Sequence, residues 1–164
     1  EQHPHALIVR TNAYGWSPQS GGWIECLIAG LEAGSAEQVD CLGHATPILA
    51  TDLAHVLEAA YRAGLEGLFH AAGAERTNRS RFVEQLAEVF ALSPPRFTVV
   101  ESPSEPASGF GSGETSLQST KIRKALGLAL PMLREGLSAL RQQQIDGYCD
   151  RLRHTETQIQ DRVA

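Results

Sequence analysis

No apolar run in this chain is long enough to cross a bilayer, and no signal-peptide pattern opens it, so neither a membrane span nor an export signal can be read from the sequence. Basic excess is missing too. A formal net charge of −5 leaves no electrostatic footprint for nucleic acid or an anionic membrane, and any anionic ligand must be held by local groups. The three cysteines, Cys26, Cys41 and Cys149, are far apart, odd in number and never form a C-x-x-C pair, which argues against a disulfide framework and a zinc site and suits a reducing cytoplasm. The sequence holds no G-x-S-x-G elbow, P-loop or H-E-x-x-H. The glycine cluster Gly109-Phe110-Gly111-Ser112-Gly113-Glu114 has glutamate where a dinucleotide fingerprint needs its last glycine, and it follows a Pro- and Ser-rich stretch instead of a strand, so it reads as a loop. His3 and His5 stand near the first residue and carry no metal assignment.

What is present suits a globular α/β unit of 164 residues, with 42% apolar and 20% charged side chains. The run Ala6–Val9 has the continuous aliphatic character of a buried parallel strand, closed by the polar turn Arg10-Thr11-Asn12-Ala13-Tyr14-Gly15-Trp16. Trp23, Leu27 and Leu31 recur every four residues and predict a helix ended by Gly34. A β-like segment spans 38–42. Thr51 is expected to cap a helix from Asp52 to about Arg62, with Leu53, Val56, Leu57, Ala60 and Tyr61 as its buried stripe and Asp52 favouring its positive end. Gly67–Gly73 reads as another short strand. Thr77 or Asn78 caps a helix burying Phe82, Leu86, Val89 and Phe90, which Pro94 and Pro95 end.

Arg96–Val100 is a further strand, and Ser102–Gly113 a loop of low local order. Ser119 caps a short helix, 120–126, closed by Gly127, and Pro131 is expected as the first-turn proline of a last helix carrying Leu133, Leu137 and Leu140. Beyond Gln142 the chain becomes polar, a tail that extends the helix, packs on a partner or frays. Alternating strands and helices indicate an α/β architecture. The strands are few and short for an independent sheet, and little precedes the first of them, so the chain is expected to complete a larger sheet.

The candidate ligand-binding residues are Thr11, Asn12, Tyr14 and Trp16, because hydroxyl, amide and aromatic groups at the carboxyl end of a buried strand orient polar ligands. The alternative is a purely structural turn, with Asn12 bonded to backbone and Trp16 covering the core edge. His70 reads as a hydrogen-bonded core or edge histidine, His44 as a turn residue, and Asn78-Arg79-Ser80 as a helix start.

The segment HALIVRTNAYGW resembles the sixth strand and following turn of extended short-chain dehydrogenases/reductases that act on nucleotide sugars, in particular the dTDP-4-dehydrorhamnose reductase branch. Thr46-Pro47-Ile48-Leu49-Ala50-Thr51-Asp52-Leu53-Ala54, Gly67–Gly73, Ser80-Arg81-Phe82 and Thr115–Ile122 follow in the family's order, so the resemblance covers about residues 5–142. It implies the C-terminal, substrate-binding part of a Rossmann-type NAD(P)-dependent sugar-nucleotide reductase without its N-terminal cofactor-binding half, with residues 1–142 forming that part and 143–164 a tail. Thr11 and Asn12 match the turn facing the nicotinamide and the sugar; Tyr14 to Trp16 match its outer wall. The family's Tyr-x-x-x-Lys pair and glycine-rich cofactor turn are not in the sequence, so no catalytic residue and no metal ligand are assigned, NAD(P)H is not expected to bind tightly to this chain alone, and the chain is expected to be a fragment inactive by itself. An Arg-Pro pair common in the family is replaced by Gly111-Ser112-Gly113-Glu114, which leaves open a second reading as a non-catalytic regulatory or interaction subunit. A third is a domain that pairs with its own copy to bury a sheet edge. The expected partners are a sugar nucleotide and the missing half or a second copy, not nucleic acid or membrane.

Overall fold

A computed structural model describes residues 5–39, 43–100 and 113–154. The strand expected at the start is β1, Leu7–Arg10, and it pairs in parallel with β6, Gly67–His70, in the register Leu7↔Gly67 to Arg10↔His70. Beyond the turn at Thr11-Asn12, β2 (Ala13–Tyr14) pairs in parallel with β5 (Ile48–Leu49). The short β4 (His44–Ala45) runs antiparallel to β7 (Thr77–Asn78), and β3 (Ala36–Val39) is parallel to β8 (Arg96–Val99). The described strands thus form four two-stranded ribbons, not one sheet.

Five helices cover these ribbons: α1 Trp23–Glu32, α2 Ala50–Arg62, α3 Arg79–Phe90, α4 Thr120–Leu126 and α5 Leu133–Ile145. In α1 the four-residue spacing buries Ile24, Leu27, Ile28 and Leu31, and Gly34 at φ +69° ends it in the left-handed conformation glycine adopts at low cost. Asn78 is the cap of α3, its side chain accepting from Arg81 N at 3.0 Å. One core gathers Tyr14, α1, Phe82, Leu86 and Phe90 of α3, and Leu133, Leu137 and Leu140 of α5; a second lies where α2 and α4 cover Phe69.

Several local expectations are corrected. The helix α2 begins at Ala50, with Leu49 in extended conformation at its cap; Thr51 lies inside it and its hydroxyl accepts from Gln143 Nε2 at 2.8 Å. Only Val56 and Ala60 of its expected stripe are fully buried, whereas Leu57 is partly exposed and Tyr61 is 83% exposed, because the packed side of α2 is narrower than the apolar arc. Ser119 stands at the cap of α4 but its hydroxyl turns to Ala72 instead of to the helix. Met132, not Pro131, precedes the first turn of α5, and its N–H is held by the Glu135 carboxylate at 2.8 Å. Of the 38–42 segment, Gln38 and Val39 are strand. The rest of it, and the loop up to 112 with most of the glycine cluster, lie outside the described residues. Past Gln142, α5 continues to Ile145 and residues 148–154 are helical, with Arg153 paired to Glu25 at 2.8 Å. No helix among the described residues is long and apolar enough to cross a membrane.

Candidate functional site

The carboxyl ends of β1 and β6 lie side by side, so Thr11 and Asn12 meet the segment Ala71–Gly73 at one end of the ribbon. The group that organises this end is Thr46, which comes from the link between β4 and β5. Asn12 Oδ1 accepts from Thr46 N at 3.3 Å and from the Thr46 hydroxyl at 3.0 Å, while Asn12 O accepts from Ile48 N at 3.0 Å. Thr46 Oγ1 accepts in turn from Leu117 N at 3.0 Å, and Thr46 O accepts from Gly73 N at 3.0 Å. The Ser119 hydroxyl completes the junction by accepting from Ala72 N at 3.0 Å. Thr46 and Ser119 are both buried, so these bonds replace water that the groups have lost.

The result is a rigid turn with an exposed Thr11 and a half-buried Asn12. Asn12 spends its carbonyl on Thr46, as the structural reading of the turn expected. Among the described residues its Nδ2 donors have no protein partner, which leaves two hydrogens for a ligand acceptor.

Tyr14 and Trp16 sit differently. Tyr14 is 3% exposed, its ring edge-on to Phe82 at 5.3 Å, with its hydroxyl against α5 at Gly136, where a Cβ would come within 2.4 Å of it. Burial, with the Asp52 charge adding to it, pushes its phenol well above the ordinary range, so it stays neutral. Trp16 donates its indole N–H to Leu140 O at 3.2 Å and stands at 64° to Phe90. Both rings therefore anchor the turn to α5. His70 is half-buried at the end of β6, and the main-chain carbonyl of His44 accepts from Thr115 N at 2.8 Å and Oγ1 at 2.9 Å.

At the end of the stretch Gly111–Glu114, Glu114 is tied to Arg76, with Nε to Oε2 at 3.2 Å and a second guanidinium nitrogen closer. The Arg76 hydrogen bond, then those from Ser116, hold this exposed carboxyl down to about 2 from its ordinary 4.5. Because the folded value is the lower one, the tie is at full strength above the ordinary value and fades as pH falls towards the folded one. In a carbon-13 NMR titration, Glu114 is expected to titrate with a midpoint near pH 2, and Arg76→Gln to return it towards the usual carboxylate range. An unshifted midpoint in the parent chain contradicts the tie.

Thr46 was visible to the sequence reading only as part of a Thr-Pro pair; the signal for its role is the distance in sequence of its partners, which periodicity does not carry. Thr46→Val keeps the shape but strands the Leu117 N–H and removes one bond to Asn12, a loss of about 2 kcal/mol. Urea denaturation checks this, and a shift of the Asn12 side-chain amide resonances is expected with it.

No family model and no curated protein matches the chain. Solved structures do. It is similar to a Bacillus anthracis dTDP-4-dehydrorhamnose reductase in complex with NADP at 19% identity and TM-score 0.69, covering 84% of this chain and 48% of that one. A hypothetical dTDP-4-dehydrorhamnose reductase from Sulfolobus tokodaii aligns at 23% identity and TM-score 0.64, over 80% of this chain and 45% of that one. The Bordetella bronchiseptica enzyme WbmH in complex with NAD+ aligns at 17% identity and TM-score 0.63, over 83% and 44%. The chain spans less than half the length of these structures, and its fold is that of the C-terminal-like half of Rossmann-type extended short-chain dehydrogenases/reductases, the dTDP-4-dehydrorhamnose reductases among them.

Proposed function

We propose that this chain is the substrate-binding portion of an NAD(P)-dependent sugar-nucleotide reductase resembling dTDP-4-dehydrorhamnose reductase, working in a reducing cytoplasm. The observation that carries the reading is the Thr46-locked turn at the carboxyl end of a parallel strand, where open α/β sheets bind their ligands. In this role Thr11 and the Nδ2 group of Asn12 hydrogen-bond the sugar beside the nicotinamide, and Tyr14 and Trp16 hold the outer wall of the turn. Rigidity matters here, because a donor that need not be ordered on binding loses less entropy.

A whole dinucleotide does not fit the described residues. Of their strand-to-helix junctions, β5 into α2 and β7 into α3 hold no glycine at the turn, and the eight-residue link from β2 to α1 holds Gly15, Gly21 and Gly22 without the G-x-G-x-x-G spacing that lets a helix N-terminus meet a pyrophosphate. Thr11 and Asn12 offer at most a wall for the nicotinamide end. With no Tyr-x-x-x-Lys pair in the sequence, hydride transfer is not assigned to this polypeptide alone.

Titration of the isotopically labelled chain with dTDP-glucose tests the reading. Amide shifts are expected to centre on Thr11, Asn12 and Thr46, and Asn12→Ala is expected to weaken binding about tenfold, the equivalent of one ordinary hydrogen bond. Shifts that avoid this turn, or an Asn12→Ala chain that binds as well as the parent, refute it.

The Arg76–Glu114 tie favours a second reading, a non-catalytic regulatory or interaction subunit on the same fold, since it places an ion-paired carboxylate where an Arg-Pro pair is common in the family. Stoichiometric co-purification with a different enzyme supports that reading. NADPH-dependent turnover of a 4-keto sugar nucleotide by the full-length protein counts against it.

A further inference from the structure

Arg81, Glu84, Gln85 and Glu88 follow the three- and four-residue spacing that puts side chains on one face of α3. The three charged members are exposed, as a solvated face requires. Gln85 departs from that pattern. It is 9% exposed, and its Oε1 is buried with no hydrogen-bond partner. An acceptor that has lost water and gained no donor lowers stability, so a ligand that supplies the donor gives the group its purpose.

Gln85 lines a cleft of about 350 Å³ that the α3 stripe forms with Glu75, from the link between β6 and β7, and with Met132 and Arg134 at the start of α5. Ala74 N donates to Pro131 O at 3.0 Å, so main-chain bonding holds that link and the start of α5 together. Both cations of the cleft are engaged. Arg81 Nε stands 3.7 Å from Glu75 Oε1, and Arg134 Nη1 2.8 Å from Glu88 Oε2, each pair using one carboxylate oxygen. Glu84 makes no ion pair among the described residues. Three carboxylates set against two guanidinium groups leave the cleft one negative charge in excess, and the Gln85 amide adds an acceptor at its wall. The last torsion of a glutamine is broad and nearly two-fold, so Oε1 turns to the cleft at low cost once a donor stands there.

We infer that this cleft binds an alkyl diammonium ion, a small polyamine, at a site independent of the sugar-nucleotide reading. One ammonium donates to Gln85 Oε1 and to the Glu84 carboxylate. The methylene chain lies on Met132, which is 47% exposed. The second ammonium reaches the Glu88 carboxylate one helical turn on, where Cβ atoms stand roughly 5–6 Å apart, about the span of a four-carbon diamine. An anion would meet the excess negative charge. A metal ion fits no better, because among the described residues no three carboxylate, histidine or cysteine groups stand close enough to share one.

The test is an NMR titration of the isotopically labelled chain with putrescine at low ionic strength. Saturable shifts are expected at the Gln85 side-chain amide and at the backbone amides of Glu84 and Glu88. Glu84→Gln and Gln85→Met are each expected to weaken binding about tenfold, the loss of one hydrogen bond to a charged donor, and butylamine, with one charge, to bind about tenfold more weakly than putrescine. Magnesium chloride at matched ionic strength should give no saturable shift at Gln85. Urea denaturation separates binding from folding. Gln85→Met keeps the shape and removes the unpartnered acceptor, so it is expected to raise the folded-to-unfolded ratio of the ligand-free chain about tenfold. Shifts that never saturate, that magnesium reproduces or that spread evenly over the acidic surface overturn the inference. So do equal binding of butylamine and putrescine, a Gln85→Met chain that binds putrescine as tightly as the parent, and a Gln85→Met chain less stable than the parent.

Discussion

Replacing Gly73 by alanine is expected to destabilise the chain by about 3 kcal/mol, the upper range for overpacking a well-filled site. A Cβ there would stand 2.1 Å from Pro47 O and 3.1 Å from Pro47 C, with Pro131 O at 3.6 Å. All three atoms are backbone, so no side-chain rotation makes room. The close approach serves the site directly, because Gly73 N donates to Thr46 O and Ala74 N donates to Pro131 O, both at 3.0 Å. Pushing the Gly73 and Thr46-Pro47 segments apart therefore also loosens the Thr46 grip on Asn12. Urea denaturation with an unchanged slope measures the loss, and the Asn12 side-chain amide resonances report the site. A change below about 0.5 kcal/mol, the ordinary scatter of neutral surface substitutions, would show that the approach is not required.

Phe82→Ala is expected to cost more, about 4 kcal/mol, from lost burial and the cavity it leaves. Phe82 is fully buried on α3 and meets Tyr14 edge-on at 5.3 Å and Trp23 at 5.5 Å. It thus joins α3 to β2 and α1, and Tyr14 lies two residues past Asn12. Phe82→Leu keeps most of the volume and should cost only about 1 kcal/mol. If the two variants unfold at the same denaturant concentration, the cavity account is wrong. A folded Phe82→Ala chain is also expected to lose the upfield-shifted Tyr14 ring signals that an edge-on aromatic neighbour produces.

Much of the fold was legible along the chain. The aliphatic run at Leu7–Val9, the four-residue spacing in α1, the Asn78 cap and the strand at Arg96 depend on neighbours a few residues away, and their signals are local. The errors fell where a local signal had competition. Thr51 and Ser119 have cap chemistry, but Gln143 and Ala72 take their hydroxyls. Leu57 and Tyr61 have the right period for burial, but α2 is covered over a narrower arc than its apolar residues span.

By itself the sequence determined the alternation of strands and helices, the turn after β1 as the place to look, and the resemblance that interprets it, all properties of period, turn chemistry and motif order. Only the tertiary structure decided what each group at that turn does. It sent Tyr14 and Trp16 to α5, made Thr46 the hub that holds Asn12 and Leu117, and tied Lys121 to the Leu68 carbonyl of β6. The physical reason is reach. The Thr46 bonds join residues 34 and 71 positions apart, the Lys121 bond spans 53 and the Trp16 bond 124. Hydrophobic period and cap residues specify an element, while directional bonds between distant elements exist only once the core has brought them together.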